Sequence, residues 1–336
     1  MNRPIPMLLP LALGLWGAQA DAAGFQAKTM RETLSNREIE RPLILGKGWL
    51  EFGLGSDLKL ASGAWDADGE PESWDANWLY STQRLGLRYG ITRRGELYWT
   101  VRTHYVRLTN EDLDTDIRQF GLGDPHFGYK YELYRSLAPL SSVIIYGDYK
   151  GPAANESPGN YVGGPYSFSS VILTTGTPDA EVGLRGKRQI GPVAVEMGAA
   201  YTRRLSQVVQ YVVETDLYQG SGRIKPGDLT TLDGSVTAQL GPLALQGGAT
   251  LVIRQATRIG PTAQGVFAGR DLEIVEESDG WALDGQLGGT FNMTRGVDLV
   301  AGVNVPLRGE DLMFFPIEDI HPTRGPTYSG TVEFRY

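Results

Sequence analysis

The ten residues 327–336, TYSGTVEFRY, alternate between two chemistries. Tyr328, Val332, Phe334 and Tyr336 fall on one side of an extended chain, and Ser329, Thr331, Glu333 and Arg335 fall on the other. Strand side chains point alternately to opposite faces, so this segment makes a strand with one apolar and one charged face. Two architectures use such a strand. A soluble sandwich hides the apolar face in a core, whereas a membrane barrel turns it towards lipid.

The start of the sequence bears on the choice. Asn2 and Arg3 form a short basic region, residues 5–17 are an apolar run too short to span a bilayer, and Ala18-Gln19-Ala20 has the small-x-small cleavage pattern. Residues 1–20 therefore read as a cleaved export signal, with Ala22 and Ala23 as alternative cleavage points. No cysteine follows, which excludes a lipoprotein anchor. No later apolar run reaches the roughly 18 residues of a helical span, so strands must make any membrane crossing. An exported chain ending on an aromatic strand resembles the outer-membrane β-barrels of Gram-negative bacteria. The resemblance implies an outer-membrane location, lipid and lipopolysaccharide as surroundings, and a barrel-assembly machinery that reads Phe334 and Tyr336.

Composition agrees. Gly 44 with Pro 19 suits many short strands joined by turns, and the absence of cysteine removes disulfides, thiol catalysis and thiolate metal sites. A net charge of −8 argues against a nucleic-acid partner. No cofactor and no metal are expected.

From residue 47 onward, segments of about ten residues recur with one apolar and one polar face, the signature of a transmembrane barrel. Leu50, Phe52, Leu54, Leu58 and Leu60 oppose Glu51, Asp57 and Lys59; Leu97, Trp99 and Val101 oppose Glu96, Tyr98 and Arg102. Turns near 92–95, 135–139, 191–192, 241–242 and 294–296 are short, and the links near 61–75, 109–119, 151–178, 205–228, 255–280 and 306–326 are long. An up-and-down barrel with periplasmic turns and extracellular loops requires that asymmetry. The expected fold is all-β: an up-and-down antiparallel transmembrane β-barrel of about twelve strands over 47–336. A periplasmic N-terminal segment, 21–46, precedes it without strand pattern.

The outward faces carry almost no charge near mid-strand, where a lipid-facing Arg or Lys costs about 2–4 kcal/mol. Charges gather on the inner faces. The candidate lumen lining is Arg84, Arg88, Glu96, Arg102, His104, Asp124, His126, Lys130, Asp148, Lys150, Arg185, Lys187, Glu196, Arg204, Arg254 and Asp284. Register counted from the turns pairs Arg88 with Glu96, Lys150 with Asp124, and Arg185 or Lys187 with Glu196. Such pairs cross-link a barrel interior or line a selective pore, and their mixed signs argue against strong anion or cation selectivity. The link 151–178 is nearly uncharged and rich in Gly, Pro, Tyr and Phe; Tyr161, Tyr166 and Phe168 are its candidate gating residues. Acidic clusters at 66–75 and 271–279 are either a solvated surface or sites for divalent cations bridging to lipopolysaccharide. Trp49, Trp78, Trp99 and Trp281 fit interfacial girdles.

Residues 120–134, FGLGDPHFGYKYELY, carry a narrower resemblance. Gly121, Leu122, Gly123 and Asp124, followed by Gly128, Lys130 and Tyr131, resemble the hallmark of the outer-membrane family associated with the meta-cleavage pathway of phenol degradation. Pro125-His126 departs from its usual pattern. The resemblance implies a barrel and a small solute of hydrophobic or aromatic type. Catalysis is the rival class, since some outer-membrane barrels are hydrolases, but only His104, His126 and His321 could serve and no nucleophile motif accompanies them. The expected function is a passive channel for a small solute; a barrel hydrolase or a non-conducting surface barrel are the alternatives.

Overall fold

The computed structural model describes Ser35 and residues 37–66, 68–110, 115–137, 139–152, 177–213, 218–260, 273–274, 279–294, 296–310 and 324–336. The sequence pattern becomes β1 (Leu50–Trp65), β2 (Pro71–Gly90), β3 (Gly95–Asn110), β4 (Thr115–Leu122), β5 (His126–Leu137), β6 (Leu140–Lys150), β7 (Asp179–Ile190) and β8 (Val193–Arg204). After β9 (Gln207–Val213) and β10 (Tyr218–Lys225) come β11 (Leu229–Leu240), β12 (Leu243–Arg254), β13 (Arg258–Gly260), β14 (Glu273–Ile274), β15 (Gly280–Thr294), β16 (Val297–Glu310) and β17 (Thr327–Arg335).

Thirteen of these form one antiparallel sheet in the order β2-β1-β17-β16-β15-β12-β11-β8-β7-β6-β5-β3-β4, and β2 also pairs with β3, which closes the sheet. β4 and β5 both lie along β3 and share one position, leaving twelve around the barrel. The terminal strand closes it as its alternation requires. β17 pairs with β1 through Leu54↔Val332 and Phe52↔Phe334, and with β16 on its other side. Closure removes the sheet edges, so wall amides are paired without water, the condition for crossing hydrocarbon.

The two faces sort as the alternation demands. Val182, Met197, Leu287 and Leu299 are among the large apolar side chains exposed on the outer surface, while Glu96, Asp124, Glu132 and Asp298 point inward and are buried. The hairpins at one end are tight. In 191–192 and 241–242 a glycine at φ 60° or 62° precedes proline, the left-handed first position that primed hairpin turns need. This is the turn end; the opposite is the loop end.

Three local features depart from the sequence expectation, the first being that strands run into the links expected at 61–75 and 109–119 and leave only 66–70 and 111–114 between them. The fourth strand is not continuous over 120–134 but breaks at Gly123-Asp124-Pro125 between β4 and β5. Pro125 has no amide to give to a ladder, and Gly123 N–H turns to the Arg102 carbonyl at 2.8 Å. In the ranges expected as loops, 205–228 and 255–280, a second sheet of four strands forms in the order β14-β13-β10-β9.

Candidate functional site: the lumen and its turn-end crossing

The described part of the pre-barrel segment enters the lumen. Residues 38–40 make a single 3-10 turn braced by ion pairs from Arg37 to Glu40, 2.5 Å, and from Arg41 to Glu38, 2.9 Å. Pro42 ends that pattern, and the chain continues as an apolar run in which Ile44 and Leu45 are buried, as Ile39 is within the turn. Charged anchors at several points on the barrel wall hold it. Arg41 reaches Asp298 of β16 at 2.5 Å, Glu38 N–H donates to the Gln239 amide oxygen of β11 at 2.8 Å, and Lys187 of β7 donates to the Glu38 carbonyl at 2.9 Å. Leu45 N–H donates to Glu96 of β3 at 2.7 Å, and Gly48 N–H to the Gly90 carbonyl at 2.7 Å. Contacts to β16, β11, β7, β3 and β2 place the segment across the turn-end mouth. Passage is close: a Cβ on Gly90 would lie 2.0 Å from the Gly46 carbonyl oxygen.

Behind this crossing lies a dense charge cluster on the wall. Arg88 donates to Glu51 at 2.6 Å and to Glu96 at 2.8 Å, Lys130 approaches Glu96 at 3.2 Å, and Arg335 joins Glu51 to Asp298. Glu96 and Asp298 are fully buried. Such carboxylates are tolerable only because cations and amides surround them. Farther along the strands, Arg84 binds Asp57 at 3.0 Å, Arg185 binds both Glu196 at 3.2 Å and Asp233 at 2.9 Å, and His126 Nδ1 meets Asp148 at 2.8 Å.

The loop-end rim has its own chain of charges at strand ends. Lys150, last in β6, lies 3.8 Å from Asp124 and 2.6 Å from Asp179, first in β7. Arg204, last in β8, lies 3.9 Å from Asp179, and its backbone N–H is held by Asp228 at 2.9 Å. Asp228 sits in the link after β10. Burial works to raise its pKa, but the Arg204 amide, the Tyr201 hydroxyl and Lys225 outweigh it and hold the carboxyl below its ordinary value.

The structure thus brings together the three pairs expected from register, Arg88 with Glu96, Lys150 with Asp124, and Arg185 with Glu196. Lys187, by contrast, turns to the crossing segment, and Arg102, His104, Arg254 and Asp284 stand elsewhere on the wall, outside the turn-end cluster. His104 Nδ1 is 3.0 Å from the Thr82 hydroxyl. Tyr161, Tyr166 and Phe168 lie outside the described residues. Sequence reading put Glu51 and Arg335 on polar strand faces but left them, with Asp298 and Arg41, out of the candidate lining. The first three alternate inward on their strands and were open to discovery; Arg41 lies in a segment with no period to orient it.

The glycines of 120–134 explain the local chemistry of that stretch. A Cβ on Gly123 would lie 2.3 Å from His104 Nε2, and one on Gly128 would lie 2.2 Å from Tyr98 Cζ. Gly128 and Tyr98 are directly opposite in register, so the tyrosine ring lies down on the strand where there is no side chain. The same arrangement recurs along the wall, where Tyr146 covers Gly183.

The barrel is similar to the COG4313 outer membrane channel from Pseudomonas putida F1, with a TM-score of 0.63 at 12% identity over 87% of this chain and 97% of that one. The translocator domain of the autotransporter NalP from Neisseria meningitidis aligns with a TM-score of 0.48 at 11% identity, covering 97% and 95%. The P. putida toluene transporter TodX aligns with a TM-score of 0.35 at 9% identity, covering 85% and 89%. No family profile matches the sequence, and no curated protein does. At such identities the likeness concerns the fold, a closed antiparallel β-barrel.

Proposed function

We propose that this chain is a passive outer-membrane channel for a small solute, constricted at its turn end by its own N-terminal segment. The observation that carries the reading is a closed barrel with an apolar outer surface, a charged interior, and a chain segment laid across one mouth. A twelve-position barrel stands between eight strands, which side chains fill, and sixteen, which leave an aqueous channel, so a narrow lumen is the natural outcome. Short turns face the periplasm in this reading, the acidic clusters face outward towards lipopolysaccharide, and residues 1–20 are removed on export. Insertion would depend on an assembly machinery engaging Phe334 and Tyr336. His126 and His104 serve as braces of the wall, to Asp148 and Thr82 respectively, rather than as bases.

Planar-bilayer recording tests this. The mature chain should give a small conductance, and a variant lacking residues 37–46 a severalfold larger one. Silence from both would replace the channel with a closed surface barrel, and equal conductance would remove the constricting role of the segment.

A further inference from the structure

Above the crossing segment the lumen widens into a cavity of about 400 Å³, within the range of small-molecule sites. One side is the crossing segment, with Pro42, Leu43, Ile44 and Leu45. The other is four neighbouring wall positions, and their chemistry alternates. Tyr98 on β3 lies flat over Gly128, Lys130 on β5 stands beside it, Tyr146 on β6 pairs with Lys130 in register and lies flat over Gly183, and Arg185 follows on β7. The Lys130 ammonium sits over the Tyr98 ring, 5.0 Å from its centre. Tyr146 turns one side to its glycine and keeps the other for the lumen, while Tyr98 carries the Lys130 ammonium over its ring.

Cations outnumber carboxylates among the residues that line the cavity. Six cations line the cavity, Arg41, Arg88, Lys130, Arg185, Lys187 and Arg335, against Glu38, Glu51 and Glu196. Glu96, Asp298, Asp233 and Glu333, which pair with these cations from outside the lining, offset that excess, the first two with no exposed surface. Lys130 and Arg185 keep 23% and 37% of their side chains exposed, whereas Glu51 keeps 5%. Lys130 makes its ion pair with Glu96 and still has ammonium hydrogens to give, since an ammonium carries three.

We propose that this cavity is a solute-binding site for a small organic carboxylate with a flat apolar body, the carboxylate between Lys130 and Arg185 and the body between the two tyrosine rings and the 42–45 run. A charge-assisted hydrogen bond supplies orientation, and the rings and aliphatic side chains supply apolar contact. A bare inorganic anion would leave the apolar side unused, and a neutral ring would forgo the donors of Lys130 and Arg185 that their wall carboxylates leave over. This solute class rests on the channel reading above for its biological meaning, though binding itself is measurable without conduction.

Isothermal titration of the detergent-solubilised full mature chain is the test, with benzoate, its neutral isostere benzamide, and acetate as probes. Benzoate should bind saturably, with benzamide and acetate each weaker by about tenfold or more, the loss of one good polar or apolar contribution. Lys130→Gln and Arg185→Gln should each weaken benzoate by a similar factor while heat-modifiable gel mobility stays normal; Lys59→Gln, whose position does not line the cavity, should leave it unchanged. Absent benzoate binding overturns the site, equal affinity for benzamide overturns the anionic class, and unaltered binding in both Lys130→Gln and Arg185→Gln overturns the location. Should one of those two variants fail to fold, the other and the wild-type probe series still decide. Binding without conductance would sink the channel and keep the site; conductance without binding would do the reverse.

Discussion

The two ends of the barrel use the same ingredients, carboxylates, guanidiniums and ammoniums, to opposite effect. At the turn end the ion pairs leave the wall: Arg41 and Glu38 come from the crossing segment and tie it to Asp298 and Lys187. At the loop end they stay within it, since Asp124, Lys150, Asp179 and Arg204 are neighbours at the ends of successive strands. The first network closes a mouth and the second braces a rim. What separates them is the covalent origin of one cation, and the number or strength of the pairs does not.

Removing one carboxylate from each end is the strongest way to break this comparison. Asp298→Ala removes the buried carboxylate that joins Arg41 to Arg335, whose side chains are only 7% and 8% exposed and which keep Glu38 and Glu51 as partners. Loss of one partner from a buried pair costs about 3–5 kcal/mol, and here it also frees the crossing segment. Thermal unfolding in detergent should show the loss, and bilayer recording a rise in conductance. Asp179→Ala should cost less, because Lys150 retains Asp124 and no crossing segment is released, and should leave conductance unchanged. Matching conductance in the two variants would mean that the ends do not differ as the contacts imply.

A second contrast sharpens the wall itself. Adding a methyl at Gly128 meets the Tyr98 ring at 2.2 Å and the Gly147 carbonyl oxygen at 2.6 Å, and the latter is backbone that cannot swing aside. Overpacking of this kind costs about 1–3 kcal/mol. A methyl added at Gly86, in a strand of the same barrel, would meet nothing within 4 Å. Gly86→Ala should therefore lie within about 0.5 kcal/mol of wild type. Equal unfolding temperatures for Gly128→Ala and Gly86→Ala would dismiss the idea that the rings are laid down on glycines.

How far these features could be read in advance varied with their periodicity. Alternation at Leu50, Phe52 and Leu54 against Glu51 and Asp57 orients a strand by itself, since the period of two assigns every side chain a face. That made the closed barrel and the inward charges legible. The break after Leu122 went unread although the outward parity slips across it, from Phe120 and Leu122 to Phe127 and Tyr129, and Pro125 argued for it too. The strand Gln207–Val213, QVVQYVV, carries its own β-branched pattern but lay inside a range read as a loop between membrane-length segments. The crossing segment was least legible. Residues 37–48 have neither a period of two nor a helical one, and the partners that fix them, such as Asp298 and Gln239, lie hundreds of residues away in sequence.

The smallest expected effect belongs to the loop end and concerns pH. Asp228 accepts hydrogen bonds from Arg204 N–H at 2.9 Å and from the Tyr201 hydroxyl at 2.8 Å, and Lys225 stands 3.6 Å away. Its folded pKa lies below the ordinary value, which for an unfolded aspartate is about 3.9. A depressed carboxylate contributes stability that is fully present above the unfolded pKa and drains away as pH falls through the folded one. Wild-type protein should therefore lose stability partly through this group as pH falls from about 5 to about 3. Asp228→Asn keeps an acceptor oxygen for Arg204 but has no proton to take up, so the fall in unfolding temperature over that interval should be shallower than in wild type. The difference should be small beside the effect of Gly128→Ala, because the rim has other pairs to hold it. An acid limb of unchanged slope in Asp228→Asn would show that the loop-end chain of charges ends at Arg204 and does not extend into the link after β10.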